Sequence, residues 1–143
     1  MLVDANLLLF AVHRSSPFHA AARTWLTEQL NGPRRVGLPW QSLAAFVRIS
    51  TYPRAFARPL APPVAWARVT DWLSAAPAWI PEPGPRHADL LGDLIVRHDV
   101  RGNLIPDAQL AALAAEHGLR VASADTDFAR FTDVGWENPL QHR

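Results

Sequence analysis

Short apolar segments alternate along this chain with longer stretches in which apolar residues recur at helical spacing. The clearest pair lies in the last third of the sequence, where DAQLAALAAEHG is followed directly by LRVASAD. The first is predicted to be a helix, because it is rich in alanine and leucine, begins after Pro106 and ends at Gly118. The second has the composition of a buried strand. Strands that alternate with helices predict an α/β sandwich around a mostly parallel sheet of roughly five strands.

The length and composition limit what else the chain can be. With 143 residues, the chain is expected to form a single domain spanning 1–143. The absence of cysteine excludes disulfides and thiolate metal sites. The segment MLVDANLLLF lacks the basic start of a signal peptide, and no stretch approaches the roughly 18 apolar residues of a membrane span. We therefore expect a cytoplasmic protein without a membrane partner.

The charge of the chain does not by itself indicate a nucleic-acid partner. The formal net charge is only +1, but every basic residue is arginine and none is lysine. A GC-rich coding sequence is the simpler explanation of this bias. Arginine is nevertheless the better bidentate ligand for phosphate, so the surface remains compatible with RNA.

Aspartates occupy the positions where a parallel sheet presents its binding site. Asp4 ends the first predicted strand and Asp125 ends the strand RVASA, while Asp107 lies in the first turn of the alanine-rich helix. Each has an ordinary structural explanation, since aspartates stabilise helix N-termini and cap turns. Parallel sheets, however, bind ligands at the carboxyl ends of their strands. We therefore expect the three side chains to converge at one end of the sheet.

Converging carboxylates need a counter-charge. Two of them about 4 Å apart repel by about 4 kcal/mol at an effective dielectric constant of 20. Protons or a hard cation would relieve that repulsion. Without cysteine or clustered histidine, such oxygen ligands select Mg²⁺, with Mn²⁺ as a substitute, and suit the hydrolysis of phosphodiesters.

Three segments in this order and spacing resemble the hallmark segments of PIN-domain proteins: MLVDANLLL, NLIPDAQLAALAAEHG and VASADTDFARF. More narrowly, they resemble the VapC toxins of bacterial toxin–antitoxin pairs. The resemblance implies a PIN-like α/β/α sandwich and a magnesium-dependent endoribonuclease that leaves 5′-phosphate and 3′-hydroxyl ends. It also implies structured RNA targets, tRNA prominent among them, a homodimer, and inhibition by a cognate VapB antitoxin.

The resemblance assigns roles residue by residue. Four positions match the acidic residues of the family site, the last of them a less constant participant: Asp4, Asp107, Asp125 and Asp127. Asn6 and Ser123 match flanking polar positions, which are expected to orient carboxylates or waters. Arg130 follows closely and either reaches substrate phosphate or pairs with a neighbouring aspartate.

The third predicted helix departs from the family pattern. The family commonly has a glutamate there, in a pattern like E-L-x-R, whereas this chain has SLAAFVRIS. Arg48 is retained, but Ala45 or Phe46 occupies the acidic position. Gln41 or Ser42, one turn earlier, are the alternative sources of an oxygen. One carboxylate of the family pattern is therefore absent from this sequence, which favours one metal ion over two and leaves open a catalytically weak protein that binds RNA or a partner. A phosphohydrolase acting on small molecules is a further alternative.

The tryptophans are expected to serve packing. In the predicted helix VAWARVTDWLSAA, three apolar residues join Trp72 on one side: Trp66, Val69 and Leu73. Exposed tryptophans can stack on RNA bases. A place in the core or at a dimer interface is the favoured expectation for the set Trp40, Trp66, Trp72 and Trp79.

Overall fold

The computed structural model of the protein describes residues 1–141, which form a five-stranded sheet between two layers of helices. The strands are β1 (Leu2–Val3), β2 (Val36–Gly37), β3 (Ala78–Trp79), β4 (Val121–Ala122) and β5 (Trp136–Glu137). The helices are α1 (Ala5–Val12), α2 (His19–Leu30), α3 (Trp40–Ser50), α4 (Pro62–Ser74), α5 (His87–Arg97) and α6 (Ile105–Glu116). Two 3-10 turns complete the described part, at Gly102–Leu104 and Thr126–Arg130.

The strand order is β3-β2-β1-β4-β5, and each neighbouring pair is parallel. The predicted α/β architecture is confirmed. The chain leaves the central strand β1 toward β2 and β3 on one side, and later returns to add β4 and β5 on the other. The carboxyl ends of β1 and β4 therefore flank the point where the strand order reverses, which is the usual binding crevice of such sheets.

Alternation along the strands divides the core into two clusters. Val3 and Ala122 belong to the cluster that packs against helices α1 to α4. Leu2 and Val121 belong to the cluster on the opposite face, with residues of α5 and α6. Because successive strand residues point to opposite faces, two paired strands of two residues each are enough to contribute to both clusters.

Helix α6 is the helix that the sequence defines most clearly at both ends. It begins at Ile105, two residues before the predicted start, with Pro106 in its first turn. At its other end Gly118 adopts φ +65°, and the Leu119 N–H donates to the Ala114 carbonyl (2.8 Å). This is a Schellman motif, which confirms Gly118 as the residue that ends the helix.

The predicted apolar face of α4 is wrong in one detail. In α4 Val69 and Trp72 are buried as predicted, but Trp66 is half exposed. The Trp66 ring stacks on another tryptophan at the surface instead of entering the core. Among residues 1–141, no helix combines the length and apolar character needed to cross a membrane.

Candidate metal centre

Three carboxylates come together at the carboxyl end of the sheet. Oxygens of Asp107, Asp125 and Asp127 all lie within 4.8 Å of one another. Asp107 is placed by the first turn of α6, and Asp125 caps the 3-10 turn that follows β4, accepting a hydrogen bond from the Asp127 N–H (2.8 Å). Two of the three are half-buried and Asp127 is exposed, so a cation could bind them and retain water.

Asp4 lies beside this acidic trio, with its own carboxylate held by the protein. One oxygen, Oδ1, accepts from the Ala5 N–H (2.8 Å) and so caps α1. The other, Oδ2, accepts from the Ser123 hydroxyl (2.7 Å). Burial raises the pKa of Asp4, the bonds from Ser123 and Ala5 lower it, and the charge of Asp125 raises it. Asp4 therefore lies close enough to the trio for the charge of Asp125 to raise the pKa of Asp4.

The Ser123 hydroxyl joins three parts of the site. It is fully buried and accepts from Asn6 Nδ2 (3.0 Å) and from the Asp125 N–H (3.0 Å). A hydroxyl has two lone pairs and one hydrogen. With both lone pairs facing donors, its hydrogen goes to Asp4 Oδ2, which must therefore be an acceptor. Ser123 thus orients the Asp4 side chain relative to the backbone of Asp125.

Two further contacts support this arrangement. Asn6 also accepts from the Ala124 N–H through Oδ1 (3.3 Å), and Trp136 Nε1 donates to the Ser123 carbonyl (3.1 Å). Sequence reasoning did not assign a role to Trp136. The only available signal was its place on the strand next to β4, which becomes apparent only once the strand order is known.

The negative charges of the aspartates around Asp107 act on its carboxyl group. The pKa of Asp107 is raised to about 6, first by burial and then by the charges of Asp125, Asp4 and Asp127. Arg130 lowers it, but does not offset the other effects. A carboxyl whose pKa rises in this way prefers a proton, or an equivalent cation, to an unpaired charge. The site is thus an oxygen-rich environment that a divalent cation would stabilise.

The wall opposite the trio is formed by α3 and contains no carboxylate. An open cleft of about 510 Å³ lies between Asp4, Asp107 and this helix, and Ala45 lines it. Phe46 is instead fully buried in the core. Of the two candidates for the position of the family glutamate, Ala45 is therefore the one that faces the cleft.

The two alternative oxygen sources on α3 are each hydrogen-bonded, Ser42 through its hydroxyl and Gln41 through its amide nitrogen. Ser42 is buried, and its hydroxyl donates to the Val3 carbonyl (2.6 Å). Gln41 lines the cleft, and its Nε2 donates to the Pro106 carbonyl (2.7 Å), which links the N-termini of α3 and α6. The Ser42 hydroxyl therefore bonds to the end of β1, and the Gln41 side chain places an amide group at the cleft.

Two arginines lie near the site. Arg48 lines the cleft from the last turn of α3 and is exposed. Arg130 is also exposed, and no ion pair of residues 1–141 includes it, although its charge lowers the pKa of Asp107. The predicted pairing of Arg130 with a neighbouring aspartate is thus not seen within 4.0 Å in this part of the chain.

The sequence and the fold match known proteins over their whole length. A family model described as the PIN domain matches residues 1–134. The chain is 44% identical over 138 residues to Ribonuclease VapC37 of Mycobacterium tuberculosis, a match that covers 96% of each chain.

Two solved structures share the fold. One is VapBC2 from Rickettsia felis bound to a DNA fragment from their promoter, with a TM-score of 0.71 and 15% identity, covering 96% of both chains. The other is Mycobacterium tuberculosis VapC20, described as a Sarcin-Ricin loop cleaving toxin, with a TM-score of 0.67 and 19% identity. That match covers 90% of this chain and 92% of the other. At these identities the two structures establish a common fold.

Proposed function

Because the chain belongs to the PIN-domain family, and within it to the VapC group, we propose that it is a metal-dependent endoribonuclease and the toxin of a toxin–antitoxin pair. The observation that carries this proposal is the group of three carboxylates within 4.8 Å at the switch point of the sheet, with Asp4 beside them. The expected substrate is structured RNA, with tRNA and ribosomal RNA loops as the first classes to test.

We assign the ion to Asp4, Asp107 and Asp125, with Mg²⁺ as the expected cation and Mn²⁺ as its substitute. The proximity of Asp107 to Asp125 supports this assignment, and Asp4 lines the same cleft as Asp107. Carboxylate oxygens are the ligands that Mg²⁺ and Mn²⁺ prefer. Bound Mg²⁺ would supply a water of lowered pKa and positive charge near the phosphate. Asp127 would assist directly or orient waters. With no carboxylate on α3, one ion is favoured over two.

The other residues of the site would hold the aspartates and the substrate. Ser123 and Asn6 keep Asp4 in one orientation through the hydrogen bonds described above. Such bonds to the ligands of a metal typically matter about 10- to 100-fold for metal affinity or activity. Arg48 and Arg130 lie at the edge of the acidic group, where guanidinium groups would bind phosphate oxygens.

The partners follow from the same premise. A VapB-type antitoxin is the expected inhibitor, which is supported by the similarity of the fold to a VapBC complex. A homodimer and a cytoplasmic location are part of the same proposal. A pull-down with the antitoxin encoded beside this chain, and light scattering of the purified protein, test the first two.

The decisive experiment is a cleavage assay on total RNA, with and without Mg²⁺, followed by analysis of the new RNA ends. We expect Mg²⁺-dependent cuts with 5′-phosphate and 3′-hydroxyl ends. Asp4→Asn should abolish them and leave the fold intact, whereas Asp71→Asn, an exposed aspartate on α4, should have no effect. If Asp4→Asn cut RNA as fast as the parent, the proposed mechanism would be wrong.

Ala45 favours one alternative, a PIN-domain protein that binds RNA or a partner without cutting. A missing carboxylate weakens metal binding, and it leaves the fold and the arginines in place. RNA binding without cleavage in either Mg²⁺ or Mn²⁺ would support this alternative over the nuclease.

A further inference from the structure

A second, smaller cavity adjoins the acidic cleft. Its volume is about 260 Å³, and its apolar walls come from prolines of two loops, Leu113 and the ring of Trp40. Polar side chains also face it, among them Gln41, Gln109 and Glu82. We refer to this cavity as the side pocket. It is not a closed cavity in the core, and none of the three aspartates of the trio lines it.

The side pocket and the acidic cleft share a wall. Gln41 and Gln109 line both of them. Gln41 is held in that position by the bond from its Nε2 to the Pro106 carbonyl, immediately before Asp107. A ligand that lay across the cleft at Asp107 would therefore extend into the side pocket past Gln41.

The aromatic wall of the side pocket is a solvent-facing tryptophan. Trp40 is 44% exposed, and its ring is parallel to that of Trp66, within 5° and with centroids 6.3 Å apart. Trp66 is itself 49% exposed. A contiguous apolar surface of this kind is one mark of a binding site. Flat aromatic surfaces of this kind are what unpaired nucleobases stack on.

The charges of the pocket indicate which part of a nucleic acid it would take. Its lining contains the carboxylate of Glu82, the imidazole of His87 and, among the described residues, no arginine. The Glu82 carboxylate disfavours a phosphate there, whereas Arg48 in the neighbouring cleft attracts one. A neutral base fits better, since each glutamine offers both a donor and an acceptor to a base edge.

We propose that the side pocket binds one unpaired nucleobase of the RNA strand whose phosphate lies at Asp107, with Trp40 stacking on the base and Gln41 and Gln109 contacting its edge. Trp66 is a positioning residue that keeps the Trp40 ring in place. This inference rests on the proposed function for the identity of the ligand. It adds to that function a site that selects single-stranded RNA at the point of cleavage.

The test is equilibrium binding of the full-length protein to labelled single-stranded RNA decamers, in Ca²⁺ and with the RNA checked for intactness. A decamer of the same backbone without bases is the matched ligand. We expect the parent to prefer the decamer with bases. Trp40→Ala should weaken binding of that decamer about 5- to 100-fold, which is the usual effect of losing one stacking contact. It should leave binding of the abasic decamer unchanged.

Two control variants separate stacking from a loss of fold. Trp40→Phe keeps an aromatic face and should restore most of the affinity. Tyr52→Ala removes another half-exposed aromatic residue, which lines neither cavity, and should have no effect. Trp66→Ala should give a smaller loss than Trp40→Ala.

Three results would overturn the proposal: no preference of the parent for bases, an equal loss on both decamers, or a loss confined to binding of a partner protein. The last would make the side pocket a protein-binding surface. Base-dependent binding without cleavage of total RNA would retain the side pocket and reject the nuclease. RNA cleavage that does not depend on Trp40 or on the bases would retain the nuclease and reject the side pocket as a base-binding site.

Discussion

The two walls of the acidic cleft differ in charge and in how they are built. One wall, from the ends of β1 and β4 and the first turn of α6, contains four aspartates, of which Asp4 and Asp125 are linked through Ser123. The other, from α3, offers Gln41, Ala45 and Arg48. Groups that suit a cation thus lie on one side, and groups that suit a phosphate lie on the other. A substrate bridging both walls would have its phosphate between a cation and an arginine.

Removing a ligand from the acidic wall should have the largest effect. Asp107→Asn is expected to lower the rate of RNA cleavage about 100-fold or more, since the cation loses a charged ligand and the water loses its activation. Steady-state cleavage of a defined RNA measures the effect. Asp71→Asn is again the control, and a rate within a factor of two of the parent would remove Asp107 from the mechanism.

Weakening the support of that wall should have a smaller effect. Ser123→Ala removes the hydroxyl that orients Asp4, so we expect a loss of about 10- to 100-fold in Mg²⁺ affinity or activity. A titration of the cleavage rate with Mg²⁺ separates an effect on Mg²⁺ affinity from an effect on the maximal rate. Excess Mg²⁺ should recover the part of the rate that is lost through weaker binding. Ser74→Ala, which removes an exposed hydroxyl at the end of α4, provides the comparison. An unchanged titration would mean that Asp4 needs no support from Ser123.

Adding a carboxylate to the α3 wall tests the asymmetry directly. Ala45→Glu places an acid on the face of α3 that lines the cleft, so Mn²⁺ should bind about 10-fold more tightly, as measured by calorimetry. Ala67→Glu adds the same charge on the exposed face of α4 and should not change the affinity. If Ala45→Glu bound Mn²⁺ no better, the α3 wall would lie too far from the ion to matter.

The smallest expected effect is on the stability of the metal-free protein. The pKa of Asp107 is about 6 in the fold and 3.8 ordinarily, so its protonation favours the folded state. That contribution is fully present below pH 3.8 and is lost as pH rises through about 6. A difference of about two pKa units would correspond to about 3 kcal/mol, but solvent screening of this half-buried group reduces it to about 1 kcal/mol.

Asp107→Asn should therefore raise the melting temperature of the metal-free protein by about 2–4 °C at pH 7.5. It should have no such effect at pH 3.5. Thermal melts in a chelator at both pH values, with Asp71→Asn alongside, test this. Added Mg²⁺ should stabilise the parent more than the variant. A variant that melted below the parent at pH 7.5 would show that the charges of the trio are already neutralised without metal.

The acidic wall was predictable from the sequence and the α3 wall was not. Asp4 directly follows β1, whereas β4 ends at Ala122, earlier than predicted, and Asp125 lies just beyond it. Strand ends in a parallel sheet nevertheless meet at one edge. The three segments that resemble PIN-domain proteins made the family identifiable, and the whole-length matches confirm it. Residue roles at the site remain predictions.

Details that depend on contacts between distant segments were out of reach. Ala45 and Phe46 are both apolar and adjacent, so only the rotation of α3 against the sheet decides which one faces the cleft. Trp66 has the right spacing for the buried face of α4, but Trp40, from another helix, gives its ring a partner at the surface. Hydrophobicity alone does not distinguish these two environments.

The bond between Asp4 and Ser123 joins residues 119 positions apart. Of the four aspartates of the acidic wall, Asp4 lies near the start of the sequence and the other three lie in its last third. While the protein is being synthesised, Asp4 leaves the ribosome early but has no partners until the segment through Asp127 follows. An activity that depends on this site therefore cannot appear before the segment through Asp127 has been made.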